Sequence, residues 1–221
     1  MSSQGSRPAV FFDLDGTLLD TNYLHTWAWW RALDEAGVSA PMAKIHRLIG
    51  RDGDDLLTEI AGSANDRISE AHTRIFAELG DQIRPLPGAL ELVKSVHQRG
   101  LLVVIVTSAG KAELERLLDA LGCDDEIDAV VHGDDVESAK PEPDIYRHAL
   151  EETGSDASRV VAVGDTVWDI EAARGAGVPC VAVETGGIAR CELEAAGAAA
   201  VYPSCAEIVT NFDSSPLGSL E

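Results

Sequence analysis

Ala9-Val10-Phe11-Phe12-Asp13-Leu14-Asp15-Gly16-Thr17 reads as a short apolar strand that runs straight into two carboxylates. An unbroken apolar run of this kind predicts a strand covered on both faces, as in the parallel sheet of an α/β protein. Ligands of open parallel sheets bind beyond the carboxyl ends of the strands, and side chains two residues apart leave a strand on one face. Asp13 and Asp15 are therefore placed to reach one substrate. Two carboxylates this close repel one another unless a cation or a shared proton relieves them, and the pair asks for a partner such as Mg²⁺. Taken alone, an acidic loop after a strand would look the same.

Working outward, the period changes after Asp20. Leu24, Trp27, Ala28, Trp30 and Leu33 recur at helical spacing and stop at Gly37. Further helical pieces are predicted around 45–49, 56–60 and 68–79, so that 21–83 reads as a helical bundle without strands. Trp27, Trp29 and Trp30 fit its core and rim, because aromatic stripes at helical spacing pack more often than they cage ligands. Arg84-Pro85-Leu86-Pro87-Gly88 marks a return linker. Beyond it strands are predicted over 101–106, 127–131, 160–163 and 180–183, alternating with helices over 89–98, 112–121, from 143 onward and over 169–176. The fold class is thus α/β, a Rossmann-like parallel sheet core with an inserted α-helical cap domain. Residues 1–20 and 84–213 form the core, 21–83 the cap, and the Ser-rich 214–221 is expected to be a disordered tail.

Asp and Glu number 38 against 17 Lys and Arg, a formal charge of -21. A field of that sign disfavours nucleic acid and anionic membranes as partners. It also repels phosphorylated substrates, so a phosphate site here needs a local cation. No apolar stretch approaches a membrane span, and the polar N-terminus lacks the apolar segment of a secretory signal, which makes a cytoplasmic location the expectation. Cys123, Cys180, Cys191 and Cys205 show neither a CxxC pair nor a His at metal-ligand spacing and are expected to pack as small apolar residues.

Three more segments sit where predicted strands end. Thr107-Ser108 follows Val103-Val104-Ile105-Val106 and offers a hydroxyl and fresh N–H groups at the start of a helix, although many helices begin so. Lys140 lies in Ser138-Ala139-Lys140-Pro141-Glu142-Pro143, where flanking prolines stiffen the backbone around a lone ammonium; a surface lysine in a Pro turn is the plain alternative. Gly164-Asp165-Thr166-Val167-Trp168-Asp169 carries carboxylates four apart that suit a cation, or else an acidic helix cap.

In this order, DxDGT, Thr at a strand end, Lys in KPxP and GDxxxD, the segments resemble the haloacid dehalogenase superfamily from Val10 to about Val183. The position of the helical insertion is similar to the family's helical cap of the first type, in its phosphoglycolate phosphatase-like and β-phosphoglucomutase-like branch. The resemblance implies a Mg²⁺-dependent phosphatase acting on a small phosphorylated metabolite through an aspartyl-phosphate, with sugar phosphates, phosphoglycolate and nucleoside monophosphates as candidate substrates. It implies Asp13 as nucleophile and Asp15 as general acid and base. Thr107 and the N–H groups from Ser108 onward would hold phosphoryl oxygens, and Lys140 would neutralise charge. Asp13, Asp15 through its backbone carbonyl, Asp165 and Asp169 would hold the Mg²⁺. Trp168 is bulkier than the family pattern and is expected to narrow the site or pack under the cap. In the cap, Arg51 of Gly50-Arg51-Asp52-Gly53 is the candidate for binding a second part of the substrate, against pairing with Asp52, Asp54 or Asp55.

Rival readings are a phosphosugar mutase of the same family, a dehalogenase and a non-catalytic binding protein. A dehalogenase has no need of Asp15 or Asp165, and a binding protein would be expected to have lost one of Asp13, Asp15, Lys140 or Asp165. Only four of the basic residues are lysines, a balance that suits a salt-rich interior. If the surplus carboxylates strain the folded state, screening them relieves it, and the melting temperature should rise as KCl is raised towards molar levels. A flat or falling melting temperature would remove that reading.

Overall fold

The computed structural model describes residues 7–220; the polar leader of residues 1–6, read above as lacking a secretory signal, lies outside them, as does Glu221. Strand β1 (Ala9–Phe12) leads into four helices, α1 (Asn22–Glu35), α2 (Met42–His46), α3 (Gly53–Ala61) and α4 (Asp66–Glu78). Alternation then follows: α5 (Ala89–Gln98), β2 (Leu102–Val106), α6 (Lys111–Leu121), β3 (Ala129–Val131), α7 (Asp144–Thr153), β4 (Val160–Gly164), α8 (Val167–Gly175), β5 (Cys180–Val183), α9 (Arg190–Ala196), β6 (Ala200–Tyr202) and α10 (Cys205–Thr210). Among the described residues no helix is long and apolar enough to cross a membrane.

The strands form one parallel sheet in the order β3-β2-β1-β4-β5-β6, with β1 at its centre. Phe12 stands opposite Ile105 of β2 and Val163 of β4, so β1 stops one residue short of its two neighbours. This order reverses direction between β1 and β4, the place where doubly wound sheets open a ligand crevice. Strand alternation divides the core. Val10 and Phe12 face a cluster with Leu92, Val93 and Val96 of α5, Leu117 of α6 and Ile208 of α10. Ala9 and Phe11 face Ile145 and Tyr146 of α7, Ile170 of α8 and Leu193 of α9. Burying each phenylalanine contributes about 1.5–3 kcal/mol relative to leaving it in water.

In the helical insertion α3 and α4 are capped by side chains and amphipathic. The Asp52 carboxylate accepts from the N–H of Asp54 at 2.7 Å to open α3, and the Asn65 side chain accepts from Arg67 and Ile68 to open α4. Buried Trp29, Leu33, Leu57, Ile75 and Phe76 continue the cluster that contains Phe12, so insertion and sheet share one apolar interior. Entry and exit run side by side: the Asp20 N–H donates to Arg84 O and the Leu86 N–H to Leu18 O, each at 2.9 Å.

Two segments depart from the sequence reading. The end of the chain, expected to be disordered over 214–221, folds through Pro216–Leu220 as a 3₁₀ helix with Leu217 and Leu220 buried, and Leu217 joins the α5 side of the core. Serine content obscured two leucines spaced to land on one face of that helix. Beyond Val183, β6 and its flanking helices were not anticipated; Ala200-Val201-Tyr202 is too short to carry a period.

Candidate active site

Asp13 extends β1 by one hydrogen bond, its N–H donating to Val163 O at 2.9 Å, and its carboxylate is buried at the sheet's edge. The Lys140 ammonium is fully buried beside it. Its Nζ donates to Asp13 Oδ1 at 2.6 Å and to Val106 O at 3.0 Å, and forms an ion pair with Asp169 Oδ1 at 2.7 Å. Burial would pull the Lys140 pKa down, but Asp13 and then Asp169 outweigh it and hold the pKa well above the ordinary lysine value.

The two oxygens of Asp169 divide their work. While Oδ1 faces Lys140, Oδ2 accepts from the Thr166 N–H at 3.1 Å and its hydroxyl at 2.6 Å, closing a capping box at the start of α8. Asp165, at the end of β4, accepts from the Thr17 hydroxyl at 3.1 Å and from Asn22 Nδ2 at 2.8 Å. Two glycines make room for this carboxylate. A Cβ on Gly16, whose φ of 80° is also left-handed, would sit 2.4 Å from Asp165 Oδ2, and one on Gly186 would sit 1.6 Å from it.

Carboxylate oxygens of Asp13, Asp165 and Asp169 lie within 4.8 Å of one another. Burial, opposed by Lys140 and reinforced by Asp169 and Asp15, raises the Asp13 pKa to about 7. Burial, with Asp13 and Asp169 adding to it, raises that of Asp165 well above the carboxylate range. Three hard oxygen donors converging this closely fit a small dication such as Mg²⁺.

The Asp15 carboxylate does not join this cluster. It accepts from the Thr21 hydroxyl at 2.5 Å and lies 3.2 Å from His25 Nε2 on α1. His25 Nδ1 is 3.2 Å from His72 Nε2 on α4, and His72 Nδ1 is 3.6 Å from Glu113 Oε1 on α6. Burial raises and His25 lowers the Asp15 pKa, and the lowering prevails. Burial lowers and Asp15 raises that of His25, with a net rise. Burial and then His25 push His72 well below its ordinary value. These directions favour a proton on His25, shared with Asp15, and a neutral His72. His72 and Glu113 are therefore not an ion pair. Aromatic faces hold the rings, Phe76 stacking on His25 at 3.9 Å and Trp29 on His72 at 4.0 Å between centroids.

At the end of β2, buried Thr107 donates its N–H to Val131 O at 3.0 Å, and its Oγ1 accepts from the Ala109 N–H at 3.1 Å, leaving the hydroxyl proton to give. The Ser108 hydroxyl donates to Gly50 O at 3.0 Å, which ties the sheet to the Gly50–Gly53 turn of the cap. Arg51 pairs with Asp55 at 2.9 Å, lies over the Trp168 ring at 5.2 Å and also lines the cavity between cap and sheet, as Ser108 does. Trp168 thus packs under the cap turn. The cavity measures about 300 Å³ and reaches Asp13 and Asp15.

Residues 10–183 match the model of the haloacid dehalogenase-like hydrolase family. The chain belongs to that family. It is 32% identical over 199 residues to a phosphoglycolate phosphatase of Mesorhizobium japonicum, covering 82% of this chain and 84% of the relative. It is 31% identical over 179 residues to a phosphorylated carbohydrates phosphatase of Thermotoga maritima, covering 77% and 82%. A hydrolase from Pseudomonas syringae superposes with a TM-score of 0.89 at 34% identity, covering 94% of this chain and 99% of that one.

Around the motifs of this haloacid dehalogenase-like hydrolase, sequence reasoning missed Thr21, Asn22, His25, His72 and Glu113. Thr21 and His25 stand one helical turn apart, and a histidine on an apolar helix face was the one available signal. Gly186 was given no role, yet it admits the Asp165 carboxylate. Gly186→Ala should weaken Mg²⁺ binding, measured by calorimetry, by about 10–100-fold; unchanged affinity would place the metal away from Asp165.

The Asp15–His25 pair carries a pH signature. Because folding raises the His25 pKa, its contribution is complete below the unfolded value of about 6.5 and fades as pH rises through the folded value. The Asp15 contribution is complete above the unfolded value of about 3.9 and is lost as pH falls through the lowered folded value. His25→Gln should therefore lower the melting temperature most between about pH 5 and 6.5, and less at about pH 9. A loss independent of pH would mean that His25 acts through packing alone.

Proposed function

We propose that this protein is a Mg²⁺-dependent phosphatase that hydrolyses a small phosphomonoester through an aspartyl-phosphate on Asp13. The observation that carries the reading is the Lys140 ammonium, buried between Asp13 and Asp169 beside the Asp13–Asp165–Asp169 cluster. A carboxylate facing an anionic ester needs cationic compensation, and Lys140 supplies it at the attacking atom. Mg²⁺, held by the carboxylates of Asp13, Asp165 and Asp169 and the backbone carbonyl of Asp15, would polarise the phosphoryl oxygens and offset their charge.

An Asp13 oxygen forms the bond to phosphorus as the ester oxygen leaves, and Asp15 passes a proton to that oxygen. The Asp15–His25 pair holds the proton, and the Thr21 hydroxyl orients the carboxylate. Asp15 then takes a proton from water, whose oxygen attacks phosphorus and releases phosphate with Asp13 restored. The Thr107 hydroxyl and the Ser108 N–H hold phosphoryl oxygens, and Arg51 reaches the substrate from the cap.

Asp13→Asn should abolish turnover of a chromogenic phosphate ester, since an amide is neither the nucleophile nor an anionic ligand. Near wild-type turnover would rule out the covalent route. Asp15→Asn should cost about 10²–10⁴-fold in rate while Mg²⁺ affinity survives. A matching collapse of affinity would show that the Asp15 side chain serves the metal.

A further inference from the structure

We propose that the alcohol portion of the substrate is uncharged and polyhydroxylated, and that Glu113 is the residue that discriminates against leaving groups bearing a carboxylate. This rests on the phosphatase reading above and specifies the substrate class of the same site.

The inference comes from what lines the cavity beyond Asp13 and Asp15. Its walls are rich in hydrogen-bond acceptors. On α4 the Ser69 hydroxyl donates to Asn65 O at 3.4 Å and the Thr73 hydroxyl to Ser69 O at 3.2 Å, so both protons are turned to the backbone and the oxygens are left to accept. Across from them Glu113 brings a nearly buried carboxylate from α6, and Asp134 adds another at the rim, where it accepts from the Lys111 N–H at 2.8 Å. A wall of acceptors is satisfied by donors, and an alcohol carrying several O–H groups supplies them without adding charge.

The cationic groups that line the cavity already face carboxylates, His25 lying 3.2 Å from Asp15. Arg51 is the one Lys or Arg among the described residues that line it; Asp55 balances its charge at one nitrogen, while its buried Nε keeps an N–H that a hydroxyl oxygen can accept. Lys140 is committed to Asp13 and Asp169. His72 Nδ1 lies 3.6 Å from Glu113 Oε1, beyond hydrogen-bond length, and burial, opposed by His25 and reinforced by Asp15, raises the Glu113 pKa, so the surroundings of this carboxylate already disfavour negative charge. A carboxylate on the leaving group would meet the Glu113 carboxylate in a partly dry chamber, where like-charge juxtaposition strongly disfavours binding. At about 300 Å³ the space also suits a compact leaving group.

The test is initial-rate kinetics of the full-length protein with Mg²⁺ on four esters: p-nitrophenyl phosphate, a hexitol phosphate, phosphoglycolate and phosphoethanolamine. The hexitol ester should exceed phosphoglycolate in kcat/KM by at least about tenfold. Glu113→Gln should narrow that ratio by about tenfold through a lower KM for phosphoglycolate. If this variant does not fold, Asp134→Asn gives the same comparison at the rim. Phosphoglycolate as the equal or better substrate overturns the proposal, as does a ratio unmoved by the variants, and phosphoethanolamine as the best substrate overturns the uncharged class. Hydrolysis of none of the four, p-nitrophenyl phosphate included, would instead overturn the phosphatase reading itself.

Discussion

The Lys140 ammonium is the contact on which the site depends. Removing ions from water costs several kcal/mol each unless every donor and lone pair is answered, and a chain with a formal charge of -21 gathers three carboxylates at one sheet edge. Lys140 forms ion pairs with two of them and also donates to Val106 O, which fixes it to the end of β2. Strand order then does the rest. Because β1 lies between β2 and β4, the groups that follow these strands, Thr107, Asp13 and Asp165, arrive within one residue of the same level.

The cap is bound to this arrangement by both apolar and polar contacts. Its interior continues the cluster around Phe12, while the His46 side chain donates to Gly186 O at 2.9 Å and Arg47 pairs with Glu192 at 2.7 Å. Asn22, the first residue of α1, donates directly to Asp165. The glycine that admits the Asp165 carboxylate is thus also held by the cap through its carbonyl. Any change of cap position is therefore felt by Asp165 through Asn22 and by Asp15 through Thr21 and His25.

What could be read from the sequence followed from period and spacing. Unbroken apolar strands and a helical stretch without strands identify a parallel sheet with an insertion, and α5 was legible to its terminal residues. The four motif segments were legible because each follows a strand or loop closely, so chain position nearly determines spatial position. His25, His72 and Glu113 were not. They lie on three helices, and only the packing of α4 between α1 and α6 brings them into line. The Pro216–Leu220 helix was hidden for a related reason, since two leucines carry its burial and composition averages them away.

Alternatives that looked exclusive in the sequence turn out to coexist. Asp169 was either a helix cap or part of a charged centre; a carboxylate has two oxygens, and one closes the capping box while the other faces Lys140. Arg51 was either a substrate contact or the partner of a neighbouring acid; a guanidinium has five donors, and pairing with Asp55 leaves it on the cavity wall. A side chain held at one end has fewer orientations to lose when its other end meets charge. In the Asp169 case the second task also explains the geometry. The capping box needs Thr166 and Asp169 at fixed spacing on the first turn of α8, and Lys140 needs an acceptor opposite Asp13. One carboxylate placed three residues into that helix meets both requirements.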